Sequence, residues 1–181
     1  MSRAANRARQ RKKKAECAAA AAASTPTALG ILTAREHELQ LKLGHVFADP
    51  TILLEALQAA GNGVSRIGER KIEDGNKRLA MLGDSVLSLA FLRDWFKEDE
   101  SRKSGDATLA AVSGNSNLDQ CGRACGLSEY INKHKSFANG VVPHRTMSDT
   151  VEALIGAVFL DSEESFAAVK VAMRGLGLLG A

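Results

Sequence analysis

Apolar residues recur three and four positions apart through most of the chain from Thr33 onward, the spacing that gives a helix one apolar face. The clearest case starts at Asn76, a candidate helix N-cap, and continues to about Phe96. Its apolar positions are Leu79, Leu82, Val86, Leu87, Ala90 and Phe91. No stretch shows the strict alternation of a half-buried strand, so the sequence predicts an all-α fold.

Two helices are predicted before the central one. Thr33, with Glu36 three residues later, forms a capping-box pattern for a helix that stops at Gly44. The pair Asp49-Pro50 begins a second helix, because proline is favoured at the first helical position. This second helix is expected to continue up to the polar stretch 61–75, which we interpret as a loop.

Three further helices are predicted after the central one. The first begins at Asp106 or Thr108 and ends at Gly126. It turns Leu109, Val112, Leu118, Cys121 and Cys125 towards the core. A basic loop over 132–147 precedes the next helix, for which Ser148 is the expected cap. The last helix carries Phe166, Val169, Val171 and Met173.

Charge is divided unevenly along the chain. Residues 1–14 contain seven basic residues and no acid, and the remaining 17 basic residues face 21 acids, so residues 15–181 carry −4. Residues 15–28 are rich in alanine and have too little bulky apolar surface to pack. We therefore predict a flexible arm over 1–28 and one domain over 29–181. A solvated tail, a targeting signal and direct RNA contact all remain open as explanations of the arm.

Cysteine usage and hydropathy indicate an intracellular protein. The three cysteines are an odd number without secretory spacing, so no disulfide framework is expected. Cys121 and Cys125 lie one helical turn apart, but no partner stands at zinc-finger spacing, and we interpret them as structural thiols. No run reaches the roughly 18 apolar residues of a membrane span. Mitochondrion and nucleus or cytoplasm are not distinguished.

Two acidic groups accompany apolar helix faces. Asp84 follows Gly83, and a glycine inside a helix costs about 1 kcal/mol relative to alanine, so a close neighbour or a ligand needs its small size. Asp149 and Glu152, three residues apart, project from one face of the predicted helix. Paired carboxylates a turn apart suit Mg²⁺. The alternative is that Asp149 faces the helix dipole and Glu152 completes a capping box.

The same stretches resemble the ribonuclease III family. Residues 77–85, KRLAMLGDS, are similar to its signature, and residues 149–161, DTVEALIGAVFLD, are similar to its second acidic segment. Further similar segments lie in the same order within 43–57 and 125–131. The likeness covers roughly 39–168, and on these motifs the chain is identified as a member of that family.

This resemblance implies a homodimeric, all-α endonuclease domain that holds double-stranded RNA in a valley between subunits and cuts both strands with Mg²⁺, or with Mn²⁺ as an alternative ion. By position, Asp84, Asp149 and Glu152 match three of the four acidic residues of the family's metal site. Asp149 and Glu152 would bind the ion, and Asp84 would hold it through water or orient the nucleophile. Met81 takes the position of an aromatic residue that contacts the partner subunit.

Two positions depart from the family pattern. Ala80 stands where the fourth acidic residue is expected, and Lys77 stands where a glutamate is common. Losing a carboxylate ligand weakens a divalent-ion site, and a lysine is expected to repel the ion. Water would have to fill the vacated position, or Glu73 or Asp74 would have to fold back from the preceding loop.

No double-stranded-RNA-binding domain follows in this sequence, so RNA affinity is expected to come from the dimer valley, the arm and local basic residues. The candidates are Arg78, Lys133, Lys135 and Arg145. Two functions are compatible with these observations. One is a Mg²⁺-dependent endoribonuclease for RNA processing; the alternative is a catalytically degenerate relative that binds RNA or serves as a structural protein of the mitochondrial ribosome.

Overall fold

The computed structural model describes residues 32–134, 136 and 140–180, and these residues contain seven α-helices. They are α1 (Ala34–Leu43), α2 (Pro50–Ala56), α3 (Lys77–Trp95), α4 (Arg102–Ser113), α5 (Asn115–Ala124), α6 (His144–Asp161) and α7 (Phe166–Gly175). The predicted all-α class is confirmed. The predicted arm over 1–28 lies outside the described residues, and the fold reported below belongs to the compact unit Thr33–Ala181.

Helix α6 is the centre of this unit. A helix segment that is apolar around its whole circumference must be buried, and α6 between Ala153 and Val158 is of that kind. Its fully buried side chains include Val151, Ala153, Leu154, Ile155, Ala157 and Val158. Helices α2, α3, α5 and α7 all pack against it.

The closest packing joins α3 to α6. A Cβ atom added to Gly83 would overlap the carbonyl oxygen of Glu152 and lie 3.0 Å from the amide nitrogen of Gly156. A Cβ atom on Gly156 would in turn lie 2.5 Å from the carbonyl oxygen of Leu79. Both glycines therefore let one backbone rest on the other. Of the two reasons that the sequence offered for Gly83, a close neighbour or a ligand, the close neighbour is the one observed.

The predicted starts of the first two helices are confirmed. The capping box at the start of α1 is formed by Thr33 and Glu36, and Gly44 ends the helix in the left-handed region with φ of 62°. The carboxylate of Asp49 accepts from the backbone amide of Thr51 at 2.9 Å, which caps α2. Helix α2 ends earlier than predicted, at Ala56.

The stretch 61–75 is not only a loop. It contains a hairpin of two-residue antiparallel strands, β1 (Arg66–Ile67) and β2 (Arg70–Lys71). Immediately after β2, Ile72 is fully buried and anchors the hairpin to the domain. Strands this short leave no periodicity, which is why the sequence pattern missed them.

The predicted helix from Asp106 or Thr108 to Gly126 is two helices. Helix α4 begins earlier, where the Ser101 hydroxyl accepts from the amide of Ser104 at 3.2 Å. The chain then becomes extended at Gly114, with φ of −63° and ψ of 136°, and α5 starts directly afterwards. The apolar positions continue across this break in similar spacing, so they did not reveal it.

Helix α6 begins at His144, directly after Pro143, and not at Ser148 as predicted. The hydroxyl of Ser148 donates to the carbonyl oxygen of His144 at 2.9 Å, within the helix, and caps nothing. Met147, assigned from the sequence to the basic loop, is fully buried. The loop therefore ends four residues earlier than expected.

Within the described residues, no helix combines the length and the apolar character needed to cross a bilayer.

Cys121 and Cys125 are free thiols that donate to the carbonyl oxygens of Gly177 and Gly175 at 3.4 and 3.5 Å. Partial burial raises the pKa of both thiols, so they are less reactive than ordinary exposed cysteines. These contacts agree with their interpretation as structural residues.

Candidate active site

The crossing of α3 and α6 brings the predicted acidic residues together. The carbonyl of Glu152 rests against Gly83, and Asp84 is the next residue of α3, so the two carboxylates belong to neighbouring turns of touching helices. Asp149 lies one turn before Glu152 on α6. Because α6 begins at His144, neither residue lies in its first turn, and the capping and dipole alternative is wrong.

The pKa of Glu152 reflects its burial and its position beside the other two carboxylates. Its side chain is half-buried, whereas Asp84 is exposed and Asp149 is buried. Burial, followed by the negative charges of Asp84 and Asp149, raises the pKa of Glu152 to about 7 from an ordinary value of 4.5. Glu152 is thus only partly ionised near pH 7 unless a cation offsets its neighbours.

Two basic side chains contact Asp149. The Lys77 ammonium pairs with its Oδ2 atom, and the Arg145 guanidinium lies 3.4 Å from its Oδ1 atom. The Asp149 side chain is 8% exposed, and a buried carboxylate requires such partners. Lys77 was expected to repel a metal ion across the site. It instead contacts one of the proposed ligands directly.

The position of the missing fourth acid is closed. Ala80 is 3% exposed, so its methyl group is packed inside the protein. Glu73 pairs with Lys71 at 3.3 Å on the surface, and Asp74 is also exposed. In the described part of the chain, no group of three or more His, Cys, Asp or Glu side chains is arranged to hold a metal ion. No replacement ligand from 73–74 is therefore present.

The donor chemistry still suits a hard divalent cation. Asp84, Asp149 and Glu152 supply carboxylate oxygens, the ligands that Mg²⁺ prefers. Burial, together with the negative charges of Asp84 and Asp149, raises the pKa of Glu152, and such a raised pKa is common where a functional site gathers carboxylates. The residues present therefore fit such an ion by charge and ligand type. With Lys77 paired to Asp149, however, the three carboxylates are among the described residues that are not arranged as a metal-holding group, and Lys77 must leave Asp149 before all three can bind one ion.

Asn76 has a role that the sequence did not indicate. Its side chain donates to the carbonyl oxygen of Ala56 at 2.9 Å and to the Thr150 hydroxyl at 3.2 Å, and it makes no capping bond. With 1% exposure, it ties the end of α2 and the start of α3 to the residue following Asp149. A polar residue beside the first helical turn looks like a cap in any sequence, so no sequence pattern indicated that this side chain turns inward.

Asp161 is a second residue whose role was missed. Its buried carboxylate accepts from His45 Nε2 at 2.8 Å and from the backbone amides of Ala48 and Asp49 at 3.0 and 2.8 Å. This fixes the loop between α1 and α2 to the end of α6. In the sequence, Asp161 is marked only as the last residue of the second acidic segment.

The predicted RNA-binding residues lie at separate places. Arg78 is exposed and lines a concave surface next to the hairpin. Lys133 is half-buried and lines a different pocket, with Pro143 at the start of α6. Arg145 is exposed beside Asp149, and Lys135 lies outside the described residues. Among those that the structure describes, Arg145 is the one in contact with the acidic cluster.

Met81, the predicted dimer contact, is 79% exposed on α3. A methionine so exposed contributes little to the core of its own subunit, and large exposed apolar residues are common at protein interfaces. Its contact with a partner stays a prediction.

Comparison with known sequences decides the family. A sequence profile described as ribonuclease-III-like matches residues 65–175, a range that includes the hairpin and all three carboxylates. The chain belongs to the ribonuclease-III-like family. The resemblance found in the two acidic segments is thereby confirmed.

Individual ribonuclease III relatives support this membership. Ribonuclease 3 of Nitratidesulfovibrio vulgaris is 34% identical over 145 residues, which are 77% of this chain and 55% of the relative. Ribonuclease 3 of Caldanaerobacter subterraneus is 33% identical over 128 residues, 68% of this chain and 54% of the relative. The chain thus spans a little over half the length of these relatives.

Solved structures agree with the family assignment. A nuclease domain of ribonuclease III from Campylobacter jejuni, described for flexibility in a region involved in dimer formation, has a TM-score of 0.64 and 25% identity. The match covers 76% of this chain and 93% of that domain. The chain therefore has the fold of a ribonuclease III nuclease domain.

Proposed function

We propose that this ribonuclease-III-like chain is a Mg²⁺-dependent endoribonuclease that cleaves double-stranded RNA. The observation that carries this function is the position of the half-buried Glu152 beside Asp84 and Asp149. Burial, and after it the negative charges of the two aspartates, raises the pKa of Glu152 to about 7. Carboxylates that cluster on touching core helices raise the free energy of the folded state unless a cation neutralises their charge. Membership of the ribonuclease-III-like family supplies the reaction class.

Asp84, Asp149 and Glu152 would hold the divalent ion, which supplies positive charge to the phosphodiester oxygens when bound. The chain's own residues determine how the site receives it. Glu152 must release its proton to become a ligand, and Asp84 is exposed, so water and RNA would reach the site from its side. Asp149 is held in a fixed position by its basic partners.

RNA binding would use exposed basic residues against phosphates. Arg145 and Arg78 lie closest in sequence to the residues of the acidic site, and Lys133 would contact a more distant part of the duplex. Because residues 15–181 carry −4, binding by this part of the chain alone should be weak and sensitive to salt.

A specific observation favours a second candidate function. Lys77 forms an ion pair with Asp149, and the buried methyl group of Ala80 stands where the fourth acidic ligand is expected. Both features suit a degenerate relative that binds RNA without cutting it. In that case the protein would act as an RNA-binding or ribosome-associated structural protein. The two functions differ in one measurable property, the cleavage of RNA.

Cleavage of long double-stranded RNA with Mg²⁺ tests the first function. The wild-type protein should yield short duplex fragments. Glu152→Gln should lose about 100-fold or more of this activity, because it removes a charged ligand from the ion. Glu69→Gln changes a fully exposed carboxylate of the hairpin turn and is the matched control that should cut normally.

The opposite result is a wild-type protein that binds RNA and yields no products at any Mg²⁺ or Mn²⁺ concentration. That result would reject the endoribonuclease function in favour of the RNA-binding one. If Ala80→Glu then gained cleavage, the missing ligand would be the cause of inactivity.

We further propose that the protein is a homodimer with Met81 at the subunit contact. Light scattering should give twice the 19.2 kDa chain mass. Met81→Asp should yield monomers of unchanged stability, because Met81 lies outside the core. Val141→Asp alters an equally exposed apolar residue elsewhere and should remain dimeric. A wild-type monomer at micromolar concentration would contradict an RNA valley shared by two subunits.

A further inference from the structure

Lys77 lies where a cation is unfavourable unless something offsets it. It is the first residue of α3, and the first turn of this helix contains no acidic residue. The N-terminus of a helix carries a partial positive charge, so a lysine there is disfavoured by up to about 1 kcal/mol. Asp149 on α6 supplies the compensation through its direct contact with the Lys77 ammonium.

The two partners differ in exposure, and this difference sets how the pair can open. The Lys77 side chain is 42% exposed and the Asp149 side chain 8% exposed. The ammonium can therefore move into water while the carboxylate stays in place. Arg145 contacts the other carboxylate oxygen at 3.4 Å from a side chain that is 72% exposed, and it is the weaker partner.

We propose that Lys77 is a built-in competitor of the divalent cation: its ammonium neutralises Asp149 in the free protein, and the ion binds only by displacing it. This inference rests on the proposed function, because it assumes that Asp149 is a ligand. The exchange makes no covalent bond. One ammonium leaves the carboxylate for solvent, and one divalent ion takes its place.

The competition has a direct consequence for affinity. Binding of the ion must overcome an existing ion pair, so the protein binds it more weakly than the same three carboxylates would without Lys77. A pair that is partly exposed contributes little more than surface pairs do, and its loss corresponds to roughly a tenfold change in the dissociation constant. Lys77 thereby sets the ion concentration at which the site fills.

Mn²⁺ binding to the full chain tests this proposal without any RNA. Free Mn²⁺ is measured by electron paramagnetic resonance and binding heat by calorimetry, at pH 8, where Glu152 with its pKa of about 7 is ionised. Lys77→Met should bind Mn²⁺ roughly tenfold more tightly than wild type. Lys77→Arg keeps the charge and should bind like wild type. Lys77→Gln repeats the loss of charge should the Met variant fold poorly.

The matched control is Lys71→Met. Lys71 lies near α3 on β2 and pairs with Glu73, so this variant removes one positive charge without touching Asp149. Its affinity should equal that of wild type. In EDTA, Lys77→Met should unfold at a lower temperature than wild type, because Asp149 loses its closest partner, and saturating Mn²⁺ should remove that difference.

Three results would overturn the proposal. Equal affinities of wild type and Lys77→Met would mean that no competition exists, while the proposed nuclease function would stand. An equal gain in Lys71→Met would assign the effect to net charge. Failure of all variants to bind Mn²⁺ would remove both the competition and the metal-dependent function. A tighter site in Lys77→Met with no RNA cleavage by any variant would support the competition and reject the nuclease.

Discussion

Helices α3 and α6 contact each other in two regions that follow different physical rules. Around Gly83 and Gly156 the two backbones touch, and no side chain separates them. At the start of α3 the contact is an ion pair between Lys77 and Asp149, and the lysine remains partly in water. The first region allows no added atom, whereas the second can exchange one charged partner for another.

This difference explains how the fold persists while the site changes. Backbone packing between α3 and α6 determines where Asp84, Asp149 and Glu152 lie. In the proposed function, the charges beside them decide whether an ion can bind. A change at 77 or 80 alters the surroundings of the carboxylates without adding an atom between Gly83 and Gly156, where the two backbones touch.

The largest expected effect is at the backbone contact. Gly83→Ala should destabilise the protein by about 3 kcal/mol, although alanine is the better helix former, because its Cβ atom would overlap the carbonyl oxygen of Glu152. Urea denaturation measures the change. Gly180→Ala adds the same methyl group where no atom lies within 4 Å and should stay within about 0.5 kcal/mol of wild type. An unchanged Gly83→Ala would mean that the helices are farther apart.

A second, smaller effect is expected at the closed ligand position. Ala80→Glu should lower the free energy of unfolding by about 2 kcal/mol in EDTA, because it adds a buried carboxylate to a cluster already rich in them. Saturating Mg²⁺ should recover most of this loss. Ala80→Gln has the same size without the charge and should not respond to Mg²⁺. Identical behaviour of the two variants would separate position 80 from the ion site.

The smallest effect concerns the protonation of Glu152. Its pKa is raised to about 7, so between pH 4.5 and 7 the folded state keeps a proton that the unfolded chain has released. The free energy of unfolding should therefore fall as pH rises through this window, by about 1–2 kcal/mol after allowance for partial exposure. Denaturation in EDTA at several pH values should show this slope.

Glu152→Gln should remove that slope and should be more stable than wild type at pH 8. The exposed control Glu69→Gln should keep it. A slope that survives in Glu152→Gln would assign the pH dependence to another group.

Local signals in the sequence were sufficient for much of the fold. The capping box of Thr33 and Glu36, the Asp49-Pro50 start and the apolar spacing of α3 depend on contacts within a few residues, and all three were predicted. The two acidic segments are also sufficient to identify the family from the sequence alone. The break at Gly114 and the start of α6 at His144 were missed, because apolar spacing does not register where a backbone changes direction.

The sequence by itself determined the helical class, the family and the three candidate carboxylates, since each is written in short runs of neighbouring residues. Only the tertiary structure decided what Gly83, Asn76 and Lys77 do. Their partners Glu152, Thr150 and Asp149 lie about seventy residues away along the chain, and no periodicity connects them. Packing of α3 on α6 brings each pair together, and in this way a lysine expected to repel a metal ion becomes the partner of its predicted ligand.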